Sequence, residues 1–212
     1  MFRSAVSKDA QKDLATLNKL VQKRPNLFAD FYLAGGTALA IQLGHRISYD
    51  LDFFTQKSYE PEALLASLKE LPEYSNLITE ITIKPGTLLL KAYTNLSFFE
   101  YKYPLVAPLV ENALGYPCLK LASVADIVLM KVTAISSRGL KKDFIDLYFA
   151  LKYLGWDKET LMKKLEEKYP ETNLQHLLLS LTWFEDAQED NSKLIMIKPT
   201  DWEDVKRFFE EF

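Results

Sequence analysis

Asp50 and Asp52 stand one residue apart, a short way downstream of the glycine pair Gly35 and Gly36. Residues i and i+2 of a strand share a face. A strand over 49–54 therefore sends both carboxylates one way and turns Leu51 and Phe53 into apolar surroundings. Like charges held side by side repel unless a cation lies between them. Magnesium (or manganese) is a hard cation that takes carboxylate oxygens together with substrate phosphates. Such ions can clamp the attacking and leaving oxygens of a phosphoryl or nucleotidyl transfer. A solvated strand edge would carry the same letters. The glycine pair adds weight, because glycine lets a backbone approach phosphate closely. The helix after it offers free N–H groups and the positive end of its dipole. Many glycine pairs only turn the chain, so the turn and the aspartates have to be read together.

The elements that position these residues follow from periodicity. Leu14, Leu17, Leu20 and Val21 have helical spacing, which predicts a helix over 9–20. A short aromatic strand is expected over 28–33, then a helix over 37–43 stopped by Gly44. Pro61 opens a helix that runs to about Leu71. Three runs, 77–83, 87–93 and 96–103, read as antiparallel strands with turns at Pro85-Gly86 and Thr94-Asn95. Ser123 caps a helix to about Ser137, with Asp126 reaching back to it. Helices are then expected over 142–153, 158–168, 174–184 and 201–210. The composition shifts near residue 120, dividing an α/β core (1–120) from a helical part (121–212).

Composition excludes several classes. Of 212 residues 48% are apolar and 26% charged, which suits a folded chain rather than a disordered one. Cys118 is the single cysteine, so no internal disulfide forms, and the pattern fits a reducing cytosol. His45 and His176 are the two histidines, too few to suggest a structural zinc site. No apolar run has the length of a membrane span. The start lacks the apolar centre of a signal peptide. A cytoplasmic protein with no membrane partner is expected. The net charge of −3 exerts no global pull on nucleic acid, so RNA binding would need a local patch such as Arg138, Lys141 and Lys142. The motifs of P-loop enzymes, serine hydrolases and zinc proteases are absent, and neither histidine is placed by sequence to activate Cys118.

Two blocks carry a family resemblance. The first is Ala34-Gly35-Gly36-Thr37-Ala38-Leu39 followed by His45 through Phe54. The second is Ser123 to Asp126, Lys131, Ala134-Ile135, Arg138-Gly139 and Lys142 through Tyr148. Together they resemble the nucleotidyltransferase AbiEii/AbiGii toxin family. The resemblance implies an α+β fold: a polymerase-β-like nucleotidyltransferase mixed sheet with flanking helices, followed by a helical C-terminal part. It implies that Gly35, Gly36 and Thr37 hold the triphosphate and that Asp50 and Asp52 bind the metal. Lys131 would neutralise triphosphate charge, and Asp143 or Asp146 would be the last family aspartate. Arg46, Ser48 and Arg138 join the phosphate-binding set. Arg46 could instead pair with an acid, and one of Asp143 and Asp146 could simply brace the basic residues near it. His45 reads as a structural histidine, and Tyr148 and Phe149 as core.

Polymerase-β-like enzymes usually carry a third carboxylate on a later strand, and Glu100 is the acid inside the last expected strand. The resemblance also implies an NTP substrate, a bacterial toxin–antitoxin or phage-defence role, a cognate antitoxin, and tRNA as one acceptor. Two other activities use the same residues: a nucleotide-binding or interaction module without turnover, and phosphotransfer to a protein hydroxyl.

Overall fold

The computed structural model describes residues 5–111 and 119–212. Cys118 and the first four residues, on which the thiol and leader readings rest, lie outside the described residues.

The chain opens with α1 (Lys8–Lys23), whose N-cap Ser7 accepts the Ala10 N–H, and whose buried face carries Leu14, Leu17, Leu20 and Val21. A single turn, α2 (Pro25–Phe28), precedes β1 (Phe31–Ala34). The expected strand over 28–33 thus begins later, because Pro25 starts a helical turn. Then α3 (Gly35–Leu43) begins at the glycine pair itself and ends on Gly44, left-handed at φ 60°. Next come β2 (Leu51–Thr55), α4 (Pro61–Lys69), β3 (Thr79–Lys84), β4 (Thr87–Lys91) and β5 (Asn95–Glu100). Asp50 therefore sits just before its strand rather than within it.

The strands form one mixed sheet in the order β1-β2-β5-β4-β3. β1 and β2 run antiparallel with Ala34 opposite Asp52. The three later strands pair antiparallel, as their tight turns require. β2 and β5 are parallel, with Asp52 opposite Ser97 and Thr55 opposite Glu100. A parallel pair needs a long connection, and α4, β3 and β4 supply it. One face of the sheet is an aromatic core, in which Phe53 stacks on Phe98 at 5.2 Å and Phe28 meets both edge-on.

The other face looks toward α5 (Val124–Arg138) and α6 (Lys141–Leu154). Then follow α7 (Lys158–Lys168), α8 (Leu174–Ser180), α9 (Glu185–Glu189) and α10 (Trp202–Glu211). The helix expected over 174–184 divides into α8 and a turn leading to α9. A buried ion pair ties the helices to the sheet's trailing segment. Lys168 Nζ lies 2.9 Å from Asp126 Oδ1 and donates to the Pro104 carbonyl. Asp126 also accepts the N–H groups of Val106 and Ala107. As expected, Ser123 caps α5, and its hydroxyl reaches the Asp126 carboxylate.

Candidate active site

A cavity of about 690 Å³ opens between the sheet and α5, and Gly35, Asp50, Asp52, Lys131, Arg138 and Lys142 are among its walls. The local fold explains why each wall is there. Gly35 has φ 63°, a left-handed turn that glycine accepts, and a Cβ there would stand 3.0 Å from Asp52 Oδ2. Gly36 is more tightly enclosed: a Cβ would lie 2.3 Å from the Arg46 Nη2 atom. The glycine pair is thus set by what leans on it, Asp52 on one side and Arg46 on the other. Among the described residues no side chain caps the N-terminus of α3. Its first N–H groups open beside the aspartates.

Asp50 and Asp52 are half-buried and both face the cavity, Asp52 from β2 and Asp50 from the residue just before it. Asn95 donates to Asp50 Oδ1 at 3.0 Å, and Ser97 bonds Asp52. Burial pushes the Asp52 carboxyl up, and the negative charge of Asp50 adds to this; the bond from Ser97 and the charges of Lys131 and Lys142 oppose it. Among the described residues no ion pair forms to either aspartate and no cluster of three or more His, Cys, Asp or Glu forms a ready metal cage. The pair offers two hard oxygens groups to one ion, leaving the rest of its shell to water and phosphate oxygens. That donor set fits magnesium or manganese.

Glu100 also borders the cavity, but the strand register turns its side chain away from the two aspartates. It pairs with Thr55, one step out of phase with Asp52, so it points to the other face of the sheet. There it packs over Gly86 and bonds Lys102 at 2.6 Å. The positions on β5 that share the Asp52 face are Asn95, Ser97 and Phe99, none of them acidic.

Asp143 and Asp146 lie in a second carboxylate cluster, fully buried behind the cavity wall. Asp146 accepts three hydrogen bonds, Oδ1 from His45 Nε2 and Arg46 Nε, each at 2.7 Å, and Oδ2 from Arg46 Nη2 at 2.8 Å, and Oδ2 forms an ion pair with Lys131 Nζ at 2.7 Å. Asp143 takes Lys131 Nζ at 2.7 Å and a fork from Arg138 at 2.8 and 3.1 Å. Burial alone would raise both carboxyls. Lys131 with Arg46 instead holds Asp146 well below the usual range, and Lys131 with Arg138 lowers Asp143. Burial likewise works against the charge of Lys131, but Asp146 and Asp143 outweigh it and raise its pKa. Both aspartates are therefore brought to the site as anchors for its cations. Arg46 borders the cavity but is buried, and its guanidinium bonds Asp146 and the Ile47 carbonyl. Arg138 keeps half its side chain exposed.

The remaining expected residues divide in the same way. Thr37 is buried; its hydroxyl bonds the Asp50 carbonyl and lies 2.8 Å from the Ser48 hydroxyl. Both hydroxyls thus hold the loop that carries Asp50. His45 is fully buried, consistent with a structural role. Tyr148 and Phe149 pack against the core. The basic cluster separates: Lys142 lines the cavity, whereas Lys141 lies over the Trp202 ring. Residues that periodicity did not mark also line the site. Phe54, Phe99 and Tyr101 form an aromatic wall on the Asp52 face, and Ser192, Lys193 and Leu194 close the far side. Alternation from Asp52 to Phe54 could have found the first of these. The 190–198 segment is held by backbone bonds from Ile47 to Ile195 and from Ile197 to His45, a pairing no local pattern announces.

With this geometry in place, the comparisons with known proteins fall on one class. Residues 19–212 match the family model described as the nucleotidyl transferase AbiEii toxin of Type IV toxin–antitoxin systems. The chain belongs to that family, and is a nucleotidyltransferase of the toxin type. An uncharacterized protein of Aquifex aeolicus (strain VF5) is 40% identical over 184 residues, 85% of each chain. Two solved structures share the fold. The nucleotidyltransferase toxin MenT4 of Mycobacterium tuberculosis H37Rv has a TM-score of 0.53 at 17% identity, covering 95% of this chain and 82% of its own. JHP933 of Helicobacter pylori has a TM-score of 0.52 at 19% identity, covering 96% and 90%. Among the described residues no helix is long and apolar enough to cross a membrane.

Proposed function

We propose that this chain moves an NMP from an NTP to a hydroxyl of an RNA acceptor, tRNA being the first candidate, with a divalent metal bound by Asp50 and Asp52. The observation that carries this reading is the facing of charges across one cavity. Two carboxylates that form no ion pair among the described residues stand beside the N-terminus of α3, and Lys131, Arg138 and Lys142 line the cavity with them.

The chain's own residues supply binding and orientation. The N–H groups at Gly35 and Gly36 suit phosphate oxygens, with the helix dipole behind them. Lys131, held by two anchoring aspartates, presents a fixed positive charge to the triphosphate. Arg138 and Lys142 extend that charge toward the cavity mouth. In the transfer the acceptor oxygen bonds the α-phosphorus, the bond from that phosphorus to the bridging oxygen breaks, and pyrophosphate leaves; the hydroxyl proton passes to water. A metal at Asp50 and Asp52 would supply charge for the developing phosphoryl oxygens. Membership in a toxin family supports a cognate antitoxin as partner and a cytoplasmic setting, where NTP and tRNA are found.

The test is to offer each NTP with magnesium and total tRNA and to identify the product that gains mass. Pyrophosphate release with a labelled RNA is expected. Release of ADP or GDP instead would mean transfer of the γ-phosphate. Transfer at the wild-type rate by an Asp50→Ala/Asp52→Ala double variant would refute the site assignment.

A further inference from the structure

A second cavity, of about 360 Å³, shares Ser137 and Arg138 with the first. It lies on the outer side of α5, between that helix and the turn joining α8 to α9. Trp183 is set on this turn, its backbone N–H donating to the Ser180 carbonyl at 3.2 Å, and it is 57% exposed. Leu179, 71% exposed, stands beside it. His176 and Asp186 line the same cavity and give it polar groups. The half-exposed Arg138, anchored to Asp143, forms the partition between the two cavities.

These residues have the chemistry of a nucleotide subsite. An indole face at the surface stacks a flat heterocycle, and such stacking accepts any base. His176, Asp186 and Ser137 offer donors and acceptors to the base edge and the ribose. Arg138 offers its fork to the linking phosphate. An apolar peptide would leave the imidazole and the carboxylate facing carbon. The volume holds one nucleotide, and the shared partition puts the next position of the strand at the mouth of the larger cavity.

We infer that Trp183 is a stacking platform for a nucleotide of a single-stranded RNA acceptor, close to the one whose hydroxyl enters the active site. The inference rests on the RNA-acceptor reading proposed above. Its test is separate from turnover.

The full chain is titrated with a short mixed-sequence single-stranded RNA carrying a free 3′ hydroxyl, without NTP, and tryptophan emission is followed. Quenching is expected in the wild type. Trp183→Ala should lose most of the quench and weaken binding about tenfold. Trp183→Phe should retain most of the affinity. NTP binding should be unchanged in both, which shows the fold intact. An Asp50→Asn/Asp52→Asn variant should still bind the RNA through Trp183, so loss of transfer with retained quenching counts against the reaction alone. Equal RNA affinity in wild type and Trp183→Ala overturns the inference. So does a Trp183→Ala chain that keeps RNA affinity but loses a protein partner in a pull-down, which would make this face a protein interface.

Discussion

The molecule holds two pairs of aspartates in opposite conditions. Asp50 and Asp52 line the cavity with side-chain hydrogen bonds from Asn95 and Ser97, and burial together with like charge pushes the Asp52 carboxyl up. Asp143 and Asp146 are more deeply buried, yet Lys131, Arg46 and Arg138 hold both below the usual carboxylate range. The same chemical group is thus left wanting a cation at one place and saturated with cations at the other. In the function proposed above, the first pair takes up positive charge from outside the chain. The second brings the chain's own positive charges to a fixed position, which is the less visible half of the site.

The largest effect expected from breaking this contrast is at the first pair. Asp52→Asn should reduce transfer on the order of a thousandfold or more, the scale of losing a dominant electrostatic contact in a transition state. Its stability should hold or rise, because a destabilised charge has been removed; urea unfolding beside a transfer assay would show both. The second pair should respond in the opposite order. Asp146→Ala leaves Lys131 and Arg46 buried and without this counter-charge, which costs about 3–5 kcal/mol. Its signature is a lower urea midpoint at unchanged slope. If Asp146→Ala proved fully stable but inactive, the anchoring role assigned to it would fail.

The two pairs were also unequally legible in the sequence. The alternation at Asp50-Leu51-Asp52 is local, so their shared face follows from letters alone. Lys131 and Arg138, seven residues apart on one helix, could likewise be placed on one face. What they do there depends on Arg46 meeting Asp146 across a separation of 100 residues, and no local period encodes that. Glu100 is the converse case. It is an acid in a strand, but its phase depends on Ser97 lying opposite Asp52, a register created by the parallel pairing of β2 with β5. The long connection between those strands hides the pairing from short-range patterns. The turn at Trp183 escaped for a different reason: apolar spacing runs through Leu177, Leu181 and Phe184 as though one helix continued.

Acid sensitivity should separate the pairs further. Asp146 is depressed in the folded chain, so its contribution is fully present above its ordinary value of 3.8 and is lost as pH falls through the lower folded value. Unfolding free energy should therefore decline as pH is lowered below about 4, and Asp146→Asn should flatten that decline. An equally steep acid limb in the variant would move the sensitivity elsewhere. Between the pairs, Gly36→Ala should cost about 1–3 kcal/mol, because the new methyl displaces the Arg46 guanidinium, whose Nη2 would lie 2.3 Å away. Gly44→Ala supplies the comparison, since among the described residues a Cβ there meets nothing within 4 Å, leaving the cost of its left-handed backbone. Thermal melting of the two variants should rank Gly36→Ala below Gly44→Ala.

The smallest expected effect is the most direct measure of the contrast. A ligand that binds the folded chain alone stabilises it by RT ln(1 + [L]/Kd), about 1.4 kcal/mol at ten times Kd. Magnesium should therefore raise the melting temperature of the wild type by a few degrees. Asp50→Asn/Asp52→Asn should lose that increment, although it starts from an equal or higher baseline, because the carboxylate charges that would hold the ion are gone. Asp143→Asn should start lower and keep the increment, since its carboxylate already has cations from Lys131 and Arg138. The sign of the difference between these variants matters more than its size. If Asp143→Asn loses the magnesium response and the double variant keeps it, the roles of the two pairs are exchanged.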